Sequence, residues 1–164
     1  EVLLLSDRVD EWLVANFGDF EEHSLKSIAK GDLEDLDSKE DKKKKEKTVK
    51  DFESVITKAQ EILSNQVKEV KVSSRLSESP SCLVADENEL GGNMERIMKS
   101  LGQDIPDTKP ILEINPDHPL VIKLKTKVDE DLVKVLFDQA VLSEGGQIKE
   151  PAEFVKRMNK LMLG

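Results

Sequence analysis

Fifteen residues near the end of this chain, 129–143, hold more apolar side chains than one face of a helix can accommodate. A start at Asp129 and a stop at Gly145-Gly146 predict a helix through Ser143. It carries Leu132, Val133, Val135, Leu136, Phe137, Ala140, Val141 and Leu142. A surface helix needs only a stripe toward its own core. A helix this broadly apolar has to be covered on two sides. One side can lie on the chain's own sheet. The next predicted helix opens at Pro151, where proline suits the first turn, and carries Phe154, Val155, Met158, Leu161 and Met162. Two such helices can pack against a second copy about a twofold axis, giving a four-helix bundle. The candidate interface residues are Leu132, Val133, Leu136, Phe137, Ala140, Phe154, Met158, Leu161 and Met162. The alternative is that both helices cap a monomeric core.

Upstream, the apolar spacing predicts an α+β fold. Phe52, Val55, Ile56, Ala59, Ile62 and Leu63 form a helical stripe behind a capping pair, Thr48 and Asp51. Val67–Ser74, Ser81–Ala85 and Ile111–Ile114 read as three strands of a small sheet. Asp117 is the expected cap of a short helix over Leu120, Val121 and Leu124. Between the second and third strands, Leu90, Met94, Ile97, Met98 and Leu101 lie along one helical face behind Asp86 and Glu89. Methionines are flexible and suit surfaces that must adapt. The stripe serves either the chain's own sheet or an exposed patch for non-native polypeptides. Gly91-Gly92 weakens its start, each glycine costing ~1 kcal/mol relative to alanine.

Charge divides the chain. Residues 1–37 hold eleven acids and three bases, whereas residues 38–72 hold ten bases and seven acids. The lysine-rich run 38–47 has nothing to bury and reads as a charged linker into the helix capped by Thr48. A phosphate-binding patch is the alternative, weakened by its interspersed acids and lack of aromatics. Before it, Glu1–Leu5 reads as a strand. Ser6 is the expected cap of a helix over Val9, Trp12, Leu13 and Phe17, ended by Gly18, and His23–Lys30 as a second strand. The expected units are a small αβ segment at 1–37, a linker at 38–47 and a domain at 48–164. The chain opens on Glu1 rather than Met and reads as a piece of a longer protein.

A net charge of −9 argues against a nucleic-acid binder. No apolar run approaches the ~20 residues that span a bilayer. The single cysteine, Cys82, excludes an internal disulfide and fits a reducing compartment. It reads as a small apolar residue on a strand. The two histidines, His23 and His118, lie far apart, and His118 suits a turn or cap. No metal cluster, phosphate loop or nucleophile elbow is spaced correctly, so no catalytic residue is expected.

Several segments together are similar to one family. They are Glu1-Val2-Leu3-Leu4-Leu5-Ser6-Asp7-Arg8-Val9-Asp10-Glu11-Trp12, Ser74-Arg75-Leu76, Asn93-Met94-Glu95-Arg96-Ile97-Met98, Leu112-Glu113-Ile114-Asn115-Pro116-Asp117-His118-Pro119 and Arg157-Met158-Asn159-Lys160-Leu161. In this order they resemble the C-terminal part of the heat shock protein 90 chaperones of the bacterial HtpG type. The resemblance implies an ATP-driven homodimeric chaperone of the stress response. Its ATP and Mg site would lie in an N-terminal domain outside this chain, leaving no cofactor here. It implies that 1–37 ends the middle domain and that the last two helices make the dimer. It also implies client-polypeptide contact by Trp12, Leu90, Met94, Ile97 and Met98. A purely structural dimerisation domain is the alternative. The chain ends Leu161-Met162-Leu163-Gly164, without the acidic pentapeptide of eukaryotic cytosolic members or an ER-retention signal. Bacterial cytoplasm is therefore expected ahead of an organelle, with no membrane and no nucleic-acid partner.

Overall fold

A computed structural model describes residues 9–17, 19–20, 23–25, 30–31, 39–86, 89, 92–103 and 108–163. The architecture is α+β, as expected: a three-stranded mixed sheet flanked by helices. Three strands, β3 (Glu69–Val72), β4 (Ser81–Val84) and β5 (Ile111–Ile114), form it in the order β3-β5-β4. β3 runs parallel to β5, with Glu69 opposite Ile111, and β4 runs antiparallel, with Ser81 opposite Ile114. All four residues of central β5 are buried. On β3 the inward side chains are Val70 and Val72, the period of two read from the sequence.

The sheet alone cannot close a core, and helices cover it. From the 24-residue α2 (Lys39–Ile62), Phe52, Val55 and Ala59 turn inward, followed by Leu63 just past its end. Val121 and Leu124 come from α4 (Pro119–Thr126), and Leu132, Val133, Leu136 and Ala140 from α5 (Glu130–Ser143). Each of these side chains larger than alanine contributes roughly 1.5–3 kcal/mol on burial.

Two caps differ from expectation. α2 begins at Lys39, so Thr48 lies inside the helix and positions 39–47 of the charged run are helical. Lysine and glutamate are good helix formers. Acids stand four residues before bases at 40/44, 41/45 and 46/50, the supportive order. A run with nothing to bury can therefore still be helix. For α4, His118 rather than Asp117 is the N-cap: its Nδ1 accepts from the Leu120 N–H at 3.2 Å. Pro119 holds His118 extended (φ −77°, ψ 134°), while the Asp117 N–H donates to Asn115 Oδ1 at 3.0 Å. α5 follows its expected cap, Asp129 Oδ1 accepting from the Leu132 N–H at 3.1 Å.

The upstream segment also differs. α1 (Asp10–Asn16) follows Val9 without a side-chain cap. β1 (Asp19–Phe20) and β2 (His23–Ser24) pair antiparallel as a short ribbon; β2 is the start of the expected His23–Lys30 strand, of which positions 26–29 lie outside the described residues. The expected strand at Glu1–Leu5, the cap Ser6 and the stop Gly18 lie outside the described residues. Lys30 makes a parallel bridge to Ala85 at the end of β4.

Candidate functional site

The last helix, α6 (Pro151–Leu163), has three- and four-residue apolar spacing but no buried residue. Phe154, Met158 and Leu161 are partly covered, Leu161 by the core itself. Val155 is 53% exposed, Met162 77% and Leu163 88%. Leu142, near the end of α5, is also exposed. Apolar side chains at the chain's end thus remain in solvent.

Ion pairs hold α6 on α5. The Arg157 guanidinium lies 3.6 Å from Asp138, 4.0 Å from Asp131 and 4.0 Å from Glu150. Lys160 pairs with Asp131, whose carboxyl it holds below the ordinary range. Burial pushes the Asp138 carboxyl up, and Arg157 opposes that. The contact is polar along this edge, leaving an apolar edge of α6 uncovered.

Four of the expected interface residues are spoken for. Leu132, Val133, Leu136 and Ala140 are buried within the chain, Leu136 at 1% exposure. A second copy cannot reach them without unpacking the core. Phe137 is partly buried against the same core. The residues left for another surface are Phe154, Met158, Leu161 and Met162, together with Val155 and Leu163, which the expected set omits.

Of the expected client-contact residues, Trp12 falls on α1 and Met94, Ile97 and Met98 on one later helix. α3 (Gly92–Ser100) carries Ile97 and Met98, both half-buried. It starts at Gly92, later than Asp86 and Glu89 suggest, and is followed by Gly102 at φ +77°. Leu90 and the side chains of Trp12 and Met94 lie outside the described residues. Leu13 on α1 and the flanking Val9 and Phe17 are exposed rather than packed.

Sequence reasoning assigned no role to Arg75 or Glu113. Glu113 is charged yet sits on the central strand, its side chain 6% exposed. A buried carboxylate requires a partner, and Arg75 supplies a two-pronged one: Nε to Oε2 at 2.9 Å and Nη2 to Oε1 at 2.8 Å. Ser73 Oγ adds a 2.7 Å bond to Oε2. An acid inside Ile111–Ile114 was the available signal. Its partner, 38 positions away, left none.

The remaining candidates show little reactive chemistry. Burial, then the Glu113 charge, pushes the half-buried Cys82 thiol up to about 12. Among the described residues no three His, Cys, Asp or Glu side chains converge as metal ligands. No helix among them is long and apolar enough to cross a membrane.

A family model described as Hsp90 protein matches residues 1–164. The chain belongs to the Hsp90 family. This Hsp90 chain is 80% identical over 162 residues to a Chaperone protein HtpG of Vesicomyosocius okutanii. It is also 80% identical over 162 residues to that of Ruthia magnifica, and 53% over 167 residues to that of Nitrosomonas europaea. These matches take in 99% of the chain and 26% of each relative. The chain therefore spans about a quarter of the length of its HtpG-type relatives.

Proposed function

We propose that this chain is the homodimerisation and client-contact module of an HtpG-like, ATP-dependent chaperone of the bacterial cytoplasm. The observation that carries it is the uncovered apolar edge of α6, where Val155, Met162 and Leu163 stand in solvent on a helix with no buried residue. Two copies meeting there close a four-helix bundle from α5 and α6. Holding two protomers together raises the effective concentration of any domains that precede this segment. ATP binding and hydrolysis belong to those domains, and no catalytic residue is assigned here. Clients are non-native polypeptides. They meet Ile97 and Met98, with Met94, Leu90 and Trp12, through contacts that tolerate sequence change because methionines repack.

Val155→Asp with Met162→Asp tests the interface. Losing two apolar anchors, each worth at least ~1.5 kcal/mol, should weaken self-association about 100-fold or more. Light scattering at micromolar concentration should show the monomer mass, with helix content kept. An unchanged dimer would place the interface elsewhere. In the full-length chaperone, Met94→Ser with Met98→Ser should leave the mass unchanged and reduce suppression of client aggregation. Undiminished suppression would leave a structural dimerisation domain without client contact.

A further inference from the structure

The Arg75–Glu113 pair does more than neutralise a buried acid. Arg75 Nη2, besides meeting Glu113, donates to the Gly31 carbonyl at 2.7 Å. The Gly31 N–H donates to the Ala85 carbonyl at 3.1 Å, next to the Lys30–Ala85 bridge. Gly31 has φ +60°, a conformation glycine adopts without strain. The Lys30–Gly31 segment is thus tied to the sheet at two points, Arg75 and the end of β4. Lys71 and Glu69 stand on the solvent side of β3, whereas the Arg75 and Glu113 side chains are only 12% and 6% exposed. The fork is therefore shielded from water and salt.

The same corner leads into α3. Ala85 is followed by Asp86, which Lys68 pairs with and whose carbonyl accepts the Glu89 N–H at 3.0 Å. Only a few residues separate that turn from Gly92, where α3 begins. The corner that receives Lys30–Gly31 therefore also carries the Asp86–Glu89 hydrogen bond.

We propose that the Arg75–Glu113 fork is a positioning joint. It fastens Lys30–Gly31 to the sheet and, through Ala85–Asp86, couples that segment to the Asp86–Glu89 hydrogen bond.

Amide hydrogen exchange in this chain tests it, comparing wild type with Arg75→Met plus Glu113→Met. Replacing both partners by apolar groups avoids stranding one buried charge. A charge-assisted hydrogen bond corresponds to about 10–100-fold in local opening, so the Gly31 and Glu89 amides should exchange faster by about that factor. The amides of Leu63 and Val133, which donate to Ala59 and Asp129, should not change. Unchanged Gly31 exchange would overturn the joint. Faster exchange at Gly31 alone, with Glu89 unaffected, would overturn its coupling to the Asp86–Glu89 bond. If protection is also lost at Leu63, Arg75→Lys decides by the same two amides, because a single ammonium cannot reproduce the fork.

Discussion

Leu136→Asp should unfold this chain rather than merely separate two copies of it. Leu136 is 1% exposed and packs with the α2, α4 and sheet residues of the core. Its carbonyl also accepts the Ser81 hydroxyl at 2.8 Å, joining α5 to the start of β4. Truncating a buried leucine costs ~2–5 kcal/mol. An uncompensated carboxylate at the same place adds several more. A domain this size is stable by only ~5–15 kcal/mol. Circular dichroism of the variant should show most native helix signal lost at 25 °C. A folded monomer with native helix content would instead put Leu136 against a partner. Substitutions on the exposed edge of α6 carry no comparable folding cost, which is why they are the cleaner probes of self-association.

Cys82 should resist alkylation. The reactive species is the thiolate, and burial moves this thiol from 9.0 to about 12. At pH 8 its thiolate fraction, allowing for partial exposure, should be at least about a hundredfold below that of a free cysteine. Iodoacetamide labelling followed by mass spectrometry should show that delay, abolished in denaturant. Labelling of the native chain at the rate of free cysteine would mean the strand opens readily. The sign of the linkage is also fixed. Between about pH 9 and about 12 the unfolded thiol loses its proton and the folded one keeps it, so stability falls as pH rises through that window.

Much of the fold was legible because its signals are local. Val70 and Val72 alternate, Asp129 caps, Pro151 begins a helix and Gly102 ends one, and each rule acts within a few residues. The start of α2 was misread for a physical reason. A charged run has no apolar stripe, yet its lysines and glutamates favour helix without one. The cap of α4 turned on which of two adjacent residues Pro119 forces into the extended region.

The candidate site was less legible. Leu132, Val133, Leu136 and Ala140 belong to a stripe that reads the same whether a sheet or a second copy covers it. Only the arrangement of α2, α4 and the sheet shows that the chain covers them itself. The uncovered part then shifts to Val155, Met162 and Leu163. The role of Arg75 depends on Gly31 and Glu113, which lie 44 and 38 positions away, beyond any periodicity.

Sedimentation equilibrium of the unmodified chain, from nanomolar to micromolar concentration, tests the dimerisation claim most directly. The uncovered edge of α6 predicts a mass of twice 18.4 kDa at micromolar concentration, falling toward 18.4 kDa on dilution if the dimer dissociates in that range. A mass of 18.4 kDa throughout would contradict it, leaving α5 and α6 as the cap of a monomeric core.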